Sequence, residues 1–381
     1  MLLSNQTLTS PGYSSAFDMY PRPLILLLIG TCYLVDAAVP TSPLRVVLTG
    51  PPTVHSIDDI RITAAITNTG LDPVTVVNYG TVFDSERPTR SFTVTKDGAA
   101  VDFIGVKIHL DGTQGLSDAA YTTIPAGETV MAEHSVAPLY DFASLGPGAF
   151  TFEPLEQLQV LHTDTPTGSV LPQMRRIQAG TSRYTVNVTE DVRRRRLAGL
   201  GRRAAGVQCA DQSRVDSINR RWKAGQDLAG FAARSLSTNT SSDVYNDYFG
   251  STLPGYVRRV FVNAADQNRP QSVVNCDDRL HQCNPDTISY VDTRTNQIYV
   301  CDAFFDAPEE IQCDDSAEDA RRRTVSGTML HELTYSSGTA DYAYGCDAAL
   351  VLTADDTGLV AQNADSYECF VAQAWQKATC H

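Results

Sequence analysis

The chain contains no Cys-x-x-Cys pair, no uninterrupted apolar run of membrane-spanning length and no excess of positive charge. The first absence argues against a zinc cluster built of thiolates. The second argues against a stable membrane anchor, because a helix needs about 20 apolar residues to cross the hydrocarbon core. A formal net charge of −14 argues against nucleic acid or an anionic membrane surface as partner, since phosphate binding needs a basic surface. Basic or neutral polypeptides suit it better. Cysteine is nearly missing from the first half, where only Cys32 occurs, and the other eight fall between Cys209 and Cys380.

What is present begins with LILLLIGTCYLV, residues 24 to 35, an apolar run of the length of a signal-peptide core. Arg22 supplies a positive flank, Ala37 and Ala38 a small-residue cleavage site, and Met19 a possible start. Residues 1–38 are therefore read as an export signal and the protein as secreted and extracellular. Eight remaining cysteines in an exported chain imply four disulfides, although eight allow 105 pairings. With 381 residues the chain is long enough for two domains, each with its own core.

From about 44 to 189 apolar and polar residues alternate, as in IRITAAI, TVMAEH and YTVNVT, with turn residues between. Period two predicts a β-sandwich over residues 39–190, read as a propeptide domain. His55, His109, His134 and His162 are scattered there without metal-ligand spacing and are read as surface or packing residues. The run VRRRRLAGLGRRAAG then marks a basic linker, 191–206, in which Arg193 to Arg196 and the pair Arg202 and Arg203 suit a processing protease. A plain solvated charge run has the same letters.

Residues 207–381 change to helical texture. Helices are predicted over 216–236, in VYNDYFG and GYVRRVFVNAADQN, and over 363–377, with a β-hairpin in 288–305. A further helix is predicted from Ser316 to about Ser336: Ser316 and Asp319 match a capping box, and Val325, Met329 and Leu333 form a buried stripe. The fold class is α+β, an all-β sandwich followed by a mainly helical domain with a small β-hairpin and disulfides. The protein is expected to be a monomer.

Within that last helix lies MLHELTYSSGTADYAYG, residues 329 to 345. On a helix, His331 and residue 335 share a face and can reach one metal ion, with Glu332 beside them as general base. HExx followed by GTxDxxYG resembles the aspzincins, the deuterolysin family of fungal secreted zinc endopeptidases, which includes the peptidyl-lysine metalloendopeptidases. The resemblance implies one Zn²⁺ held by His331 and Asp341, Glu332 as base, and Tyr344 as donor to the oxyanion of the tetrahedral intermediate. It extends through NADSYECF, residues 363 to 370, where Asp365 and Glu368 match the acids that select lysine on the leaving side of the cut bond. Those two carboxylates could alternatively serve the helix dipole, with Asn363 as cap. The resemblance also implies disulfides Cys209 to Cys276, Cys283 to Cys301 and Cys313 to Cys380, leaving Cys346 and Cys369 as an added bridge.

Two departures sit at one joint. The family's second histidine is replaced by Tyr335, whose phenol must lose a proton, with an ordinary pKa near 10, before it can ligate zinc. Only Ser336 and Ser337 separate it from Gly338, a short turn in which to swing Asp341 back toward His331. His281 and His381 lack the spacing of substitutes. A catalytically inactive homologue that binds lysine-containing peptides is the competing reading, from a different functional class.

Overall fold

The computed structural model describes residues 42–111, 116–161, 174–195, 206–238, 242–266, 272–306, 313, 324–355 and 357–380. The export signal, His162, His381, residues 196–205 of the basic run and the Ser316 and Asp319 capping box lie outside them. Residues from Pro40 onward form one compact unit.

The alternating segments become strands. Leu44–Thr49, Arg61–Asn68 and Thr129–Ser135 lie side by side with Gly180–Thr181 at one edge. A second sheet runs in the order Thr53–Ser56, Tyr184–Asp191, Gly148–Pro154, Phe92–Lys96 and Ala99–Ala100. Val46, Ile62 and Ile66 from the first sheet and Phe92, Phe150, Phe152 and Val186 from the second are buried in one core. Inward apolar residues from two sheets are what face-to-face packing requires. A third sheet contains Met174–Gln178, Gln157–Leu161, Val74–Val77 and Tyr121–Ile124.

One strand of this half, Val106–Leu110, joins none of the three. It completes a fourth sheet in the order Val207–Gln208, Val274–Asn275, Gln297–Val300, Thr287–Asp292, Val106–Leu110. The expected hairpin supplies the centre of that sheet, and Val106–Leu110 lies antiparallel along its Thr287–Asp292 strand. Val106, Ile108 and Leu110 are buried in a cluster with Tyr290 and Tyr299. Strand geometry then turns Lys107 and His109 to the opposite face, toward the helices.

Those helices include Gln212–Thr238, Asp243–Phe249, Pro254–Ala264, Val325–Thr334 and Ala364–Thr379, around a core containing Met329, Leu330, Leu333, Tyr367 and Phe370. Gly225 lets the first of them approach closely: a Cβ there would lie 3.0 Å from the Leu330 backbone nitrogen. Disulfides join Cys209 to Cys276, Cys283 to Cys301, Cys313 to Cys380 and Cys346 to Cys369, with Cα separations of 5.0, 5.4, 5.0 and 5.5 Å.

Candidate active site

The helix carrying the motif starts at Val325, where the Thr324 hydroxyl accepts from the Gly327 N–H at 3.0 Å, so the cap is Thr324 and not Ser316. Met329 and Leu333 are buried as the stripe predicts. At the far end Tyr335–Ser337 form one 3-10 turn, and Gly338 stops it in a left-handed conformation, φ 92°. The chain reverses there, and Ala340 hydrogen bonds with Gln362 and Ala364 on the neighbouring segment. The two-serine turn is thus long enough, because Gly338 takes a conformation that few other residues adopt without strain.

Asp341 returns to the helix: its Oδ1 is 3.1 Å from Nε2 of His331. The Tyr335 hydroxyl lies 2.8 Å from the same Nε2 and 2.6 Å from each Asp341 carboxylate oxygen. The Tyr335 O–H donates to Asp341, leaving the phenol oxygen to accept from His331. Burial, together with the charges of Asp341 and Glu332, drives the Tyr335 pKa well above its ordinary value. Burial alone would lower the His331 pKa, yet Asp365, Asp341 and Glu368 outweigh it and push it up to about 10.

Two ligands on one zinc at about 2.0 Å in tetrahedral geometry stand about 3.3 Å apart. His331 and Asp341 meet that spacing, and the neutral, hydrogen-bonded phenol of Tyr335 does not meet the requirement for a deprotonated third ligand. Glu332 is buried, with one oxygen accepting from the Ser289 hydroxyl at 2.5 Å. Burial raises its pKa to about 7, against the opposing effects of His331 and Ser289.

Asp365 and Glu368 stand behind His331, 3.8 and 3.6 Å from its Nδ1. Gly327 makes room for Glu368, since a Cβ there would lie 2.9 Å from its Oε1. Asp365 accepts from the Gly345 N–H. Asn363 makes no side-chain cap: its Oδ1 holds the N–H groups of Tyr342 and Ala343 at 2.9 and 3.0 Å, fixing the loop that delivers Asp341. Tyr344 is buried and its hydroxyl turns toward Gly80, whose added Cβ would lie 3.4 Å away. Asp341, Tyr344 and Lys107 line a common cavity of about 330 Å³.

His109 overturns its expected role as a scattered surface or packing histidine. It is fully buried in this site, with Nδ1 3.1 Å from Oε1 of Glu332 and Nε2 3.6 Å from Oε2 of Glu368. Its ring stacks on His331 with centroids 3.5 Å apart and planes at 7°. Donor atoms of His109, His331, Asp365 and Glu368 lie within 4.8 Å of one another. The stack opposes a shared ion, because imidazole lone pairs lie in the ring plane and an ion about 2 Å from one nitrogen would sit far outside the other plane. His134, by contrast, is a packing histidine: its Nε2 is 3.0 Å from the Val82 carbonyl.

A helix presenting His-Glu, an aspartate returned to that histidine and buried carboxylates behind it thus lie together in one site. The model of the deuterolysin metalloprotease (M35) family matches residues 24–378. The chain is 27% identical over 351 residues to the peptidyl-Lys metalloendopeptidase of Armillaria mellea, covering 88% of this chain and 94% of that one. It is 29% identical over 357 residues to the neutral protease 2 homolog mep20 of Aspergillus fumigatus, covering 91% of each. A solved zinc peptidase from Grifola frondosa aligns at TM-score 0.37 and 24% identity, covering 44% of this chain and 98% of that one. The chain belongs to the deuterolysin metalloprotease family, which is zinc-dependent and whose members named here are metalloendopeptidases.

Proposed function

We propose that the protein is a secreted proenzyme of the deuterolysin type that acts at lysine. In this reading residues 39–190 are the propeptide, 191–206 the processing linker and 207–381 the catalytic domain. The observation that carries it is the 3.1 Å approach of Asp341 to His331, with Glu332 adjacent in sequence and buried. His331 and Asp341 would hold the zinc, with Tyr335 at the third position. Zinc held there would act as a Lewis acid toward a scissile carbonyl and would lower the pKa of a nearby water. Glu332, whose own pKa is about 7, is matched to accept a proton near neutrality. Tyr344 would donate to the oxyanion. Asp365 and Glu368, three residues apart on one helix, would receive a lysine ammonium, which the name of the Armillaria mellea relative supports.

The competing reading, an inactive homologue that captures lysine-bearing peptides, draws on Tyr335. Its hydroxyl bridges Nε2 of His331 and the Asp341 carboxylate, the two groups that would otherwise face an ion. Metal content after dialysis, paired with digestion of a lysine-containing peptide by the chain cut in its linker, separates the two. Stoichiometric zinc with cleavage supports the enzyme. A metal-free protein that binds the peptide without cutting it supports the inactive homologue.

A further inference from the structure

Val106–Leu110 is an extended segment hydrogen-bonded antiparallel to the outer strand of the sheet beside Glu332. Adding a strand to an open edge is a general way of binding an extended peptide, with backbone bonds giving affinity and alternate side chains entering pockets. The alternate side chains here are Lys107 and His109. The Lys107 ammonium donates to the Thr339 carbonyl and lies 4.7 Å from the Tyr335 ring centroid. His109 fills the space bounded by Glu332, His331 and Glu368.

Both ends of the segment are fastened to the same half of the chain. On one side the Thr293 N–H and hydroxyl donate to the Gly105 carbonyl at 3.1 and 2.9 Å. On the other, the Asp111 N–H donates to the Asp286 carbonyl at 2.7 Å, while the Asp286 carboxylate accepts from the Ser117 N–H and hydroxyl and from Tyr79.

We propose that Val106–Leu110 is an internal occupant of the substrate cleft: its backbone holds the Thr287–Asp292 edge, and the His109 ring fills the pocket beside Glu368. A substrate strand and this segment compete for one edge and one pocket. His109 also faces the Glu332 oxygen that Ser289 contacts, so the base has an imidazole where a substrate would come. The cleft opens when the segment withdraws, and the apparent affinity for substrate is the intrinsic affinity multiplied by the fraction of molecules in which it is open. This inference rests on the proenzyme reading for its biological sense, while the occupancy itself can be tested without zinc or turnover.

The test uses the full uncut chain in chelator, with a fluorescent extended peptide bearing one lysine as probe. His109→Ala empties the pocket. A second variant, Tyr79→Phe with Ser117→Ala, loosens the Asp286 clamp and leaves the pocket untouched. Both are expected to bind the probe about tenfold or more tightly than the parent, with the gain lost when Glu368→Gln is added. Hydrogen exchange at the Thr287–Asp292 amides is expected to quicken in both. If the pocket has no preference for lysine, the probe fails everywhere while exchange still quickens, which removes the specificity reading and leaves the occupancy standing. Parent-like exchange in both variants, with circular dichroism showing them folded, overturns the proposal.

Discussion

With the proposed ligand set, Tyr335 is the side chain on which metal affinity would turn. Structural zinc sites contribute about 10 to 16 kcal/mol over four ligands, so one failed ligand removes about 3 kcal/mol, near a hundredfold in affinity. Tyr335→His is therefore expected to raise zinc affinity about a hundredfold, read by competition against a chromophoric chelator; an unchanged affinity would place the weakness elsewhere. His331, Glu332 and Asp341 were legible because helical spacing and one short motif bring them together. His109 was not, because its partner Glu332 is 223 residues away and only the fold joins them. In VKIHL the alternation was visible, yet Lys107 and His109 resemble the solvated face of an ordinary strand until the opposing helix is known. Asn363 was noticed as a cap, and its use as a brace for residues 342 and 343 depends on a turn no local pattern encodes.

At the scale of the element, the turn after the motif helix depends on backbone conformation. An added Cβ at Gly338 meets nothing within 4 Å, so its penalty is the left-handed φ of 92° alone. Gly338→Ala is expected to cost about 1 to 2 kcal/mol, measured as a fall in the thermal midpoint of a few degrees. No loss of stability would mean that the turn relaxes freely. In the first half, burial lowers the pKa of His134 below 6.5, against the pull of the Val82 carbonyl and Asp84. A His favoured neutral in the folded state binds fewer protons than the unfolded chain, so its contribution is present above pH 6.5 and lost as pH falls through the lowered value. Urea midpoints are expected to decline below pH 6.5, with a shallower decline in His134→Gln; parallel profiles would assign the acid sensitivity to other groups. The strands and most helices were legible from period and texture. The start of the motif helix was misread because Ser316 and Asp319 match a capping box in sequence, while the cap in the structure is Thr324.

For the whole molecule, the covalent and noncovalent joins differ. Among the described residues the four disulfides all lie within residues 209–380, and none of them ties the two halves together. Noncovalent joins do so, among them the Val106–Leu110 strand in the fourth sheet, the Asp286 clamp, the Lys107 ammonium donating to the Thr339 carbonyl and the Gln159 side chain donating to the Tyr342 carbonyl at 3.0 Å. Cleavage within 196–205 is accordingly expected to give two bands on a denaturing gel but one peak in size-exclusion chromatography, and two peaks only in urea. Separation in native buffer would show these joins to be too weak to outlast the cut. A strand-rich region followed by a helix-rich one was legible from periodicity and texture. The strand exchanged between them was not, since VKIHL suits either sheet equally well.

Removing the first half would also change how the remainder behaves toward its own copies. All six residues of Thr287–Asp292 are buried while Val106–Leu110 lies beside them. Without that neighbour they form a bare outer strand, the kind of edge that natural proteins usually cover, charge or shorten because another chain can pair with it. Concentration would then become a control on the shortened form: dilute, its open edge would be available to passing chains, and crowded, the molecules would cap one another and withdraw from solution.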